Sequence, residues 1–205
     1  YLARLQSKGL SIILLDRRAR KHKFPSIYVD KHTGMYKVME YLTAMNHEKI
    51  ALISGPRQLT TNYDRYEGIA HFLYDTEKRA DNIQYFFGSF TEQYGYETAD
   101  MLLKSENRPT AIVVGSAVLA TGVFDCCRSN GIRLPDDLSL ISFGDFASGK
   151  LIEPRLTFVD DGDKEIAEKL LDMIAAALGN KLLCEEIILQ PKLVINDSVR
   201  ALERS

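Results

Sequence analysis

Short apolar runs in this sequence repeatedly stop at residues that have something to offer a polar ligand. "LSIILLD" stops at Asp16-Arg17, "SIYVD" at Asp30, "KIALISG" at Ser54-Gly55, "IQYFFGSF" at Phe90, "TAIVVGS" at Gly115-Ser116 and "LSLISFGD" at Gly144-Asp145. Carboxylates accept hydrogen bonds from hydroxyl groups, an aromatic face packs on the apolar side of a sugar ring, and glycine lets a ligand approach the backbone. The set suits a polyhydroxylated small molecule. Each member also has a plain structural role open to it. Asp16 can pair with Arg17, Phe90 can fill the core, Ser116 can cap the helix that follows and Asp145 can cap the next turn.

Covalent chemistry has no comparable set. The sequence holds no G-x-S-x-G elbow, no G-x-x-x-x-G-K-[ST] loop and no G-x-G-x-x-G fingerprint after a strand. His22, His32, His47 and His71 lack metal-ligand spacing; the first two read as residues of solvated loops. His47 follows a helix C-terminus, where the dipole favours a cation. Cys126 and Cys127 are adjacent and Cys184 is remote, which is neither a disulfide framework nor a zinc spacing, so reduced thiols are expected. We expect no enzyme, no catalytic residue, no cofactor and no metal.

The elements that must position these residues alternate strand and helix. "LSIILLD" reads as a strand buried on both faces and "SIYVD" as another. Residues 33–45 place Met35, Val38, Met39 and Leu42 at helical spacing, with Asn46 as a left-handed C-cap. Strand, helix and strand follow over 49–55, 63–75 and 83–90, then a helix with Thr91 as its N-cap. "TAIVVGS", "AVLATGVFDCCRSNG" and "LSLISFG" continue the rhythm, a helix spans 163–178 and extended segments flank Pro191. This order predicts an α/β fold with parallel sheets flanked by helices, in which residues just past the carboxyl ends of strands share one crevice. Counting elements predicts two lobes, with the chain crossing between them more than once.

The bulk numbers fit that reading. The 205 residues are 45% hydrophobic and 26% charged, an ordinary globular composition. A net charge of −2 leaves no electrostatic footprint for nucleic acid in the chain itself. No run of eighteen apolar residues occurs, so no membrane span is expected. "YLARLQSKG" reads as a helix already under way, closed by Gly9, and the chain as a fragment.

The segments "IILLDR", "YVDKHTG", "MNHEKIALISGP", "DRYEGI", "GSFTEQYGYETADMLL", "RPTAIVVGS", "LATGV", "GIRLPDDLSLISFGD" and "PRLTFV" occur in the order typical of one family. The sequence resembles the effector-binding core of lactose/galactose-repressor-type (LacI/GalR) bacterial transcription regulators over nearly its whole length. The resemblance implies two Rossmann-like lobes of the periplasmic-binding-protein kind, the N-terminal one incomplete in this chain. Residues 1–30 plus 158–184 would form that lobe, and 31–157 plus 185–205 the C-terminal one. It implies a cytoplasmic homodimer sensing a small-molecule effector (a sugar, sugar phosphate or related compound) between the lobes, and acting on DNA through a headpiece outside this chain. The helix "AVLATGVFDCCRSNG" and the segment after "SFGDF" would meet across the two-fold axis. A periplasmic-type sugar-binding transport receptor would share the fold.

Position by position, the resemblance makes Asp16 the strand-end acid that contacts sugars. Arg65, three residues before Gly68, becomes the effector arginine, and Phe90 the aromatic platform. Ser116 and Asp145 complete the expected effector contacts. Two departures stand out. Ser116-Ala117 replaces the family's usual Asn-Asp, and Ser142-Phe143-Gly144-Asp145 replaces its Gly-Phe-Asp-Asp, so the first acid of that pair is lost at Gly144. That loss points away from a simple hexose in the usual pose and toward a larger, acidic or phosphorylated effector held by Arg65.

Overall fold

The computed structural model describes residues 1–19, 22–145, 153–179 and 186–203. Along the chain run α1 (Leu2–Gln6), β1 (Leu14–Leu15), β2 (Ser26–Val29), α2 (Lys31–Ala44), β3 (Ile50–Ser54), α3 (Thr60–Thr76), β4 (Ile83–Phe87) and α4 (Glu92–Leu103). Then come β5 (Ala111–Val114), α5 (Ala117–Ser129), β6 (Ser139–Phe143), β7 (Thr157–Asp160), α6 (Asp163–Leu178), β8 (Glu186–Leu189) and β9 (Lys192–Val194). The strands form one sheet ordered β1-β2-β8 and another ordered β4-β3-β5-β6-β7-β9. The chain divides into a smaller unit, Tyr1–Asp30 with Asp161–Pro191, and a larger one, Lys31–Asp160 with Lys192–Ser205.

In the larger unit, β3, β5 and β6 are buried along their whole length, as apolar runs in a parallel sheet must be when helices cover both faces. Successive side chains take opposite faces. Ala51 and Ile53 join Ile112 and Val114 beneath α4 and α5, whereas Ile50 and Leu52 join Val113 and Ile141 beneath α2 and α3. Each such Ile or Leu contributes about 1.5–3 kcal/mol through burial. Helices α4 and α5 approach so closely that a Cβ on Gly122 would strike the Glu92 carbonyl oxygen. Cys126 and Cys127 lie in the same layer, and burial pushes the Cys127 thiol up to about 12, so neither is a ready nucleophile. Cys184 lies outside the described residues.

The lobe boundaries differ from the sequence expectation at both later crossings. The chain passes between units at 160/161 and 191/192, where 157/158 and 184/185 were expected. Pairing decides both: β7 runs parallel to β6 in the larger sheet, and β8 runs parallel to β2 in the smaller one. Residues 10–16 also differ. The strand expected there shrinks to Leu14–Leu15, and Leu10 and Leu15 are exposed because β1 is the edge of its sheet. Likewise, β4 stops at Phe87, short of Phe90.

Two histidines depart from expectation. His32 belongs to the first turn of α2, its ring 5.1 Å from that of His71. His47 is buried, with Nδ1 2.9 Å from Thr110 Oγ1 and Nε2 3.1 Å from the Arg200 carbonyl oxygen. A carbonyl only accepts, so Nε2 carries the proton. Burial lowers the His47 pKa, and the ring is neutral where a dipole-favoured cation was expected. Beside it Asn46, at φ 63°, ends α2 in the left-handed conformation and donates Nδ2 to the Leu202 carbonyl at 2.7 Å. The Leu202 N–H returns a bond to Met45. These two residues hook the C-terminal tail to the end of α2.

Candidate functional site

At the carboxyl end of β3, Ser54 is fully buried and donates through Oγ to Asn62 Oδ1 at 2.7 Å. Asn62, in the first turns of α3, donates Nδ2 to the Pro56 carbonyl at 2.9 Å. That carbonyl can only accept, which fixes the amide and turns Oδ1 toward two donors. The second donor is Arg65 Nη1, at 2.8 Å. Arg65 is 4% exposed and its guanidinium carbon lies 4.5 Å from the centre of the Phe143 ring, at the end of β6. A desolvated cation over an aromatic face contributes about 2 kcal/mol. The result is a permanent positive charge held rigidly between the carboxyl ends of two strands.

The neighbouring strand ends complete this edge. Phe90 lays its ring against Gly55, where any side chain would collide with it, and packs on the core beneath α4 and α5. Gly115 sits against Ser54 Oγ just as closely. Ser116 caps α5, its Oγ accepting from the Leu119 N–H at 3.3 Å, so the capping role open to it in the sequence is filled. Gly144 takes φ 85° and its N–H bonds the Val159 carbonyl at 2.9 Å. Among the described residues, a Cβ there would meet nothing within 4 Å. Asp145 follows it and is exposed.

Arg65, Phe90, Ser116 and Asp145 therefore stand at one edge of the six-stranded sheet, each just past a strand or in the helix after one. Asp16 belongs to the smaller unit, at the end of β1. It takes φ 48°, a left-handed conformation that Asp tolerates better than most residues. Its N–H donates to the Ile27 carbonyl and its carboxylate lies 3.5 Å from Arg17. Among the described residues no group of three or more His, Cys, Asp or Glu could hold a metal. The arrangement is equipped to bind and orient, with acceptors, a fixed cation and aromatic faces.

Ser54 stands among the strand-end residues read from sequence, whereas Asn62 and Phe143 do not. A signal existed for Asn62: the buried stripe of α3 runs Thr61, Asn62, Arg65, Gly68, Ile69, Phe72, so polar residues occupy the start of a core face. Polar groups in such a stripe need partners. Phe143 gave none, because its role depends on a helix that folds back over β6. Part of the expected two-fold face, at residues 147–152, lies outside the described residues. Its other part, the outer side of α5, borders a cleft lined by Thr121, Phe124, Arg128 and Arg133.

Residues 39–199 match the family described as periplasmic binding protein-like domain. The HTH-type transcriptional repressor PurR of Mannheimia succiniciproducens is 28% identical over 192 residues, covering 93% of this chain and 58% of the relative. The HTH-type transcriptional repressor CytR of Escherichia coli is 26% identical, with 93% of this chain and 56% of the relative covered. The chain thus spans less than two thirds of the length of either repressor. The structure of a LacI family transcriptional regulator from Enterococcus faecium with bound ribose has the same fold. It superposes with a TM-score of 0.88 at 22% identity over 97% of this chain and 74% of the other.

Proposed function

Because this chain belongs to the periplasmic binding protein-like family, in the form shared by lactose/galactose-type repressors, we propose that it is the ligand-sensing core of a DNA-binding transcription regulator. The effector is a small molecule of the sugar or sugar-derivative class. It sits at the carboxyl edge of the six-stranded sheet, contacting Arg65, Phe90, Ser116 and Asp145. The observation that carries the reading is the buried Arg65, fixed by Asn62 and Phe143 where open α/β sheets gather their ligands. Ribose in the Enterococcus faecium regulator supports the sugar class. The repressor relatives favour regulation over transport by a receptor of the same fold, and they are not enzymes.

In this reading the protein works in the cytoplasm as a homodimer joined in part through the outer face of α5. Ligand favours one of two conformations by its differential affinity, and that bias reaches DNA through a headpiece carried elsewhere in the protein. No described helix is long and apolar enough to cross a membrane. Calorimetric titration against neutral monosaccharides and sugar phosphates tests the proposal. One class is expected to bind saturably, with binding lost in Arg65→Ala. Failure of the whole panel to bind would overturn the sugar reading.

A further inference from the structure

The six-stranded sheet has a second end, and a cavity of about 160 Å³ opens there. Its floor is Met39, Ile50, Phe72, Leu73 and Ile83, and Thr43, Glu48 and Lys78 stand among the residues at its mouth. Ile50 is the first residue of β3 and Ser54 the last, four steps of about 3.3 Å apart, so this cavity lies about 13 Å from the Arg65 network along that strand. A void of about 150 Å³ holds one benzene ring. A wider groove shares Thr43, His47, Glu48 and Lys78 with it and leads away past Asn46, Lys49 and Thr110.

We propose that this cavity binds a small zwitterion with a compact apolar side chain, the chemistry of leucine, methionine or phenylalanine. The floor offers only carbon and sulfur surface from side chains that are themselves buried or half-buried, which selects an apolar group of about one ring. The mouth carries both signs of charge. Arg79 is committed to Asp81 at 2.8 Å, whereas Lys78 and Glu48 form no ion pair among the described residues. His47 is neutral, with both ring nitrogens engaged. The last turns of α2 and α3 adjoin the mouth, and the negative ends of their dipoles favour an ammonium group beside Glu48. Lys78 takes the carboxylate. A simple acid would leave Glu48 opposed, and a simple amine would leave Lys78 opposed.

The proposal is independent of the ligand at the carboxyl edge. The test is titration of the isotope-labelled chain with L-phenylalanine, 3-phenylpropanoate, phenethylamine and L-alanine, read from backbone amide shifts. Saturable shifts centred on Ile50, Leu73 and Ile83 are expected with L-phenylalanine, at least severalfold tighter than with either singly charged analogue, and none with L-alanine. Thr43→Phe plugs the mouth and should abolish them. Lys78→Ala and Glu48→Gln, both at exposed positions, should each weaken binding severalfold without moving Tm. No saturation by L-phenylalanine would overturn the proposal. So would equal binding of the acid or the amine, or binding unchanged in both charge variants.

Discussion

Arg65 and Phe143 face each other across 4.5 Å at the carboxyl edge of the larger sheet, a guanidinium on α3 over the ring that ends β6. Asn62 holds the same guanidinium from the side. One residue after Phe143 the chain turns through Gly144, where the family resemblance leads one to expect a carboxylate.

Arg65→Ala should abolish ligand-induced thermal stabilisation, while the unliganded Tm falls by only a few degrees. The fall is bounded because Asn62 keeps Ser54 and Pro56 as partners. Thermal scans with and without effector decide between the roles. A collapse of the unliganded protein would mark Arg65 as structural.

Gly144→Asp should create affinity for neutral monosaccharides. A carboxylate accepting a hydroxyl contributes about 1.5–3 kcal/mol, about tenfold to a hundredfold in affinity. No described atom stands within 4 Å of the new Cβ, but φ 85° costs about 1–2 kcal/mol for a residue with a Cβ. The same variant should weaken an anionic effector by like-charge repulsion. Calorimetry on both proteins with the same sugars reads the change, and no gain for any neutral sugar would show that Gly144 does not set specificity.

Stability should fall as pH drops below about 6.5, the value for an unfolded histidine. Burial lowers the folded pKa of His47, so its contribution is fully present above that value and is lost as pH falls through the folded pKa. Urea midpoints between about pH 7.5 and 5 measure the slope. His47→Gln, whose amide can still donate to the Arg200 carbonyl, should flatten it.

Gly122→Ala should destabilise the protein by about 1–3 kcal/mol, because the new methyl meets the Glu92 carbonyl backbone and α4 and α5 must separate. In a chain of this size Tm should drop about 2–4 °C per kcal/mol. An unchanged Tm would mean the helix pair gives without cost.

Sedimentation at micromolar concentration should find a dimer, and Phe124→Glu on the outer face of α5 should yield a monomer. A wild-type monomer would count against that face.

The central strands were legible because β3, β5 and β6 are continuous apolar runs between glycine or polar stops, and their burial demands that pattern. The α2 stripe of Met35, Val38, Met39 and Leu42 was legible for the same reason, at helical period. The run at 10–16 looked alike and became two residues of edge strand, since apolar character alone cannot report whether a neighbour covers it. The lobe crossings slipped by a few residues because β7 and β8 are assigned by partners far away in sequence. Arg65 was reached through resemblance, and its ring partner was invisible to any local rule.

The tail that Asn46 and His47 catch also orders events during synthesis. Ser198 bridges the Leu140 carbonyl and the Thr157 N–H, and β9 closes the outer side of β7. Residues 31–160 of the larger unit leave the ribosome in one stretch, yet its last strand and its hook emerge only after β8. The smaller sheet waits as long, because β2 pairs with β8. Ribosome pausing anywhere between 160 and 190 would leave one unsealed sheet edge and one unfinished sheet exposed to chaperones and proteases, so a stalled nascent chain is at its most vulnerable there.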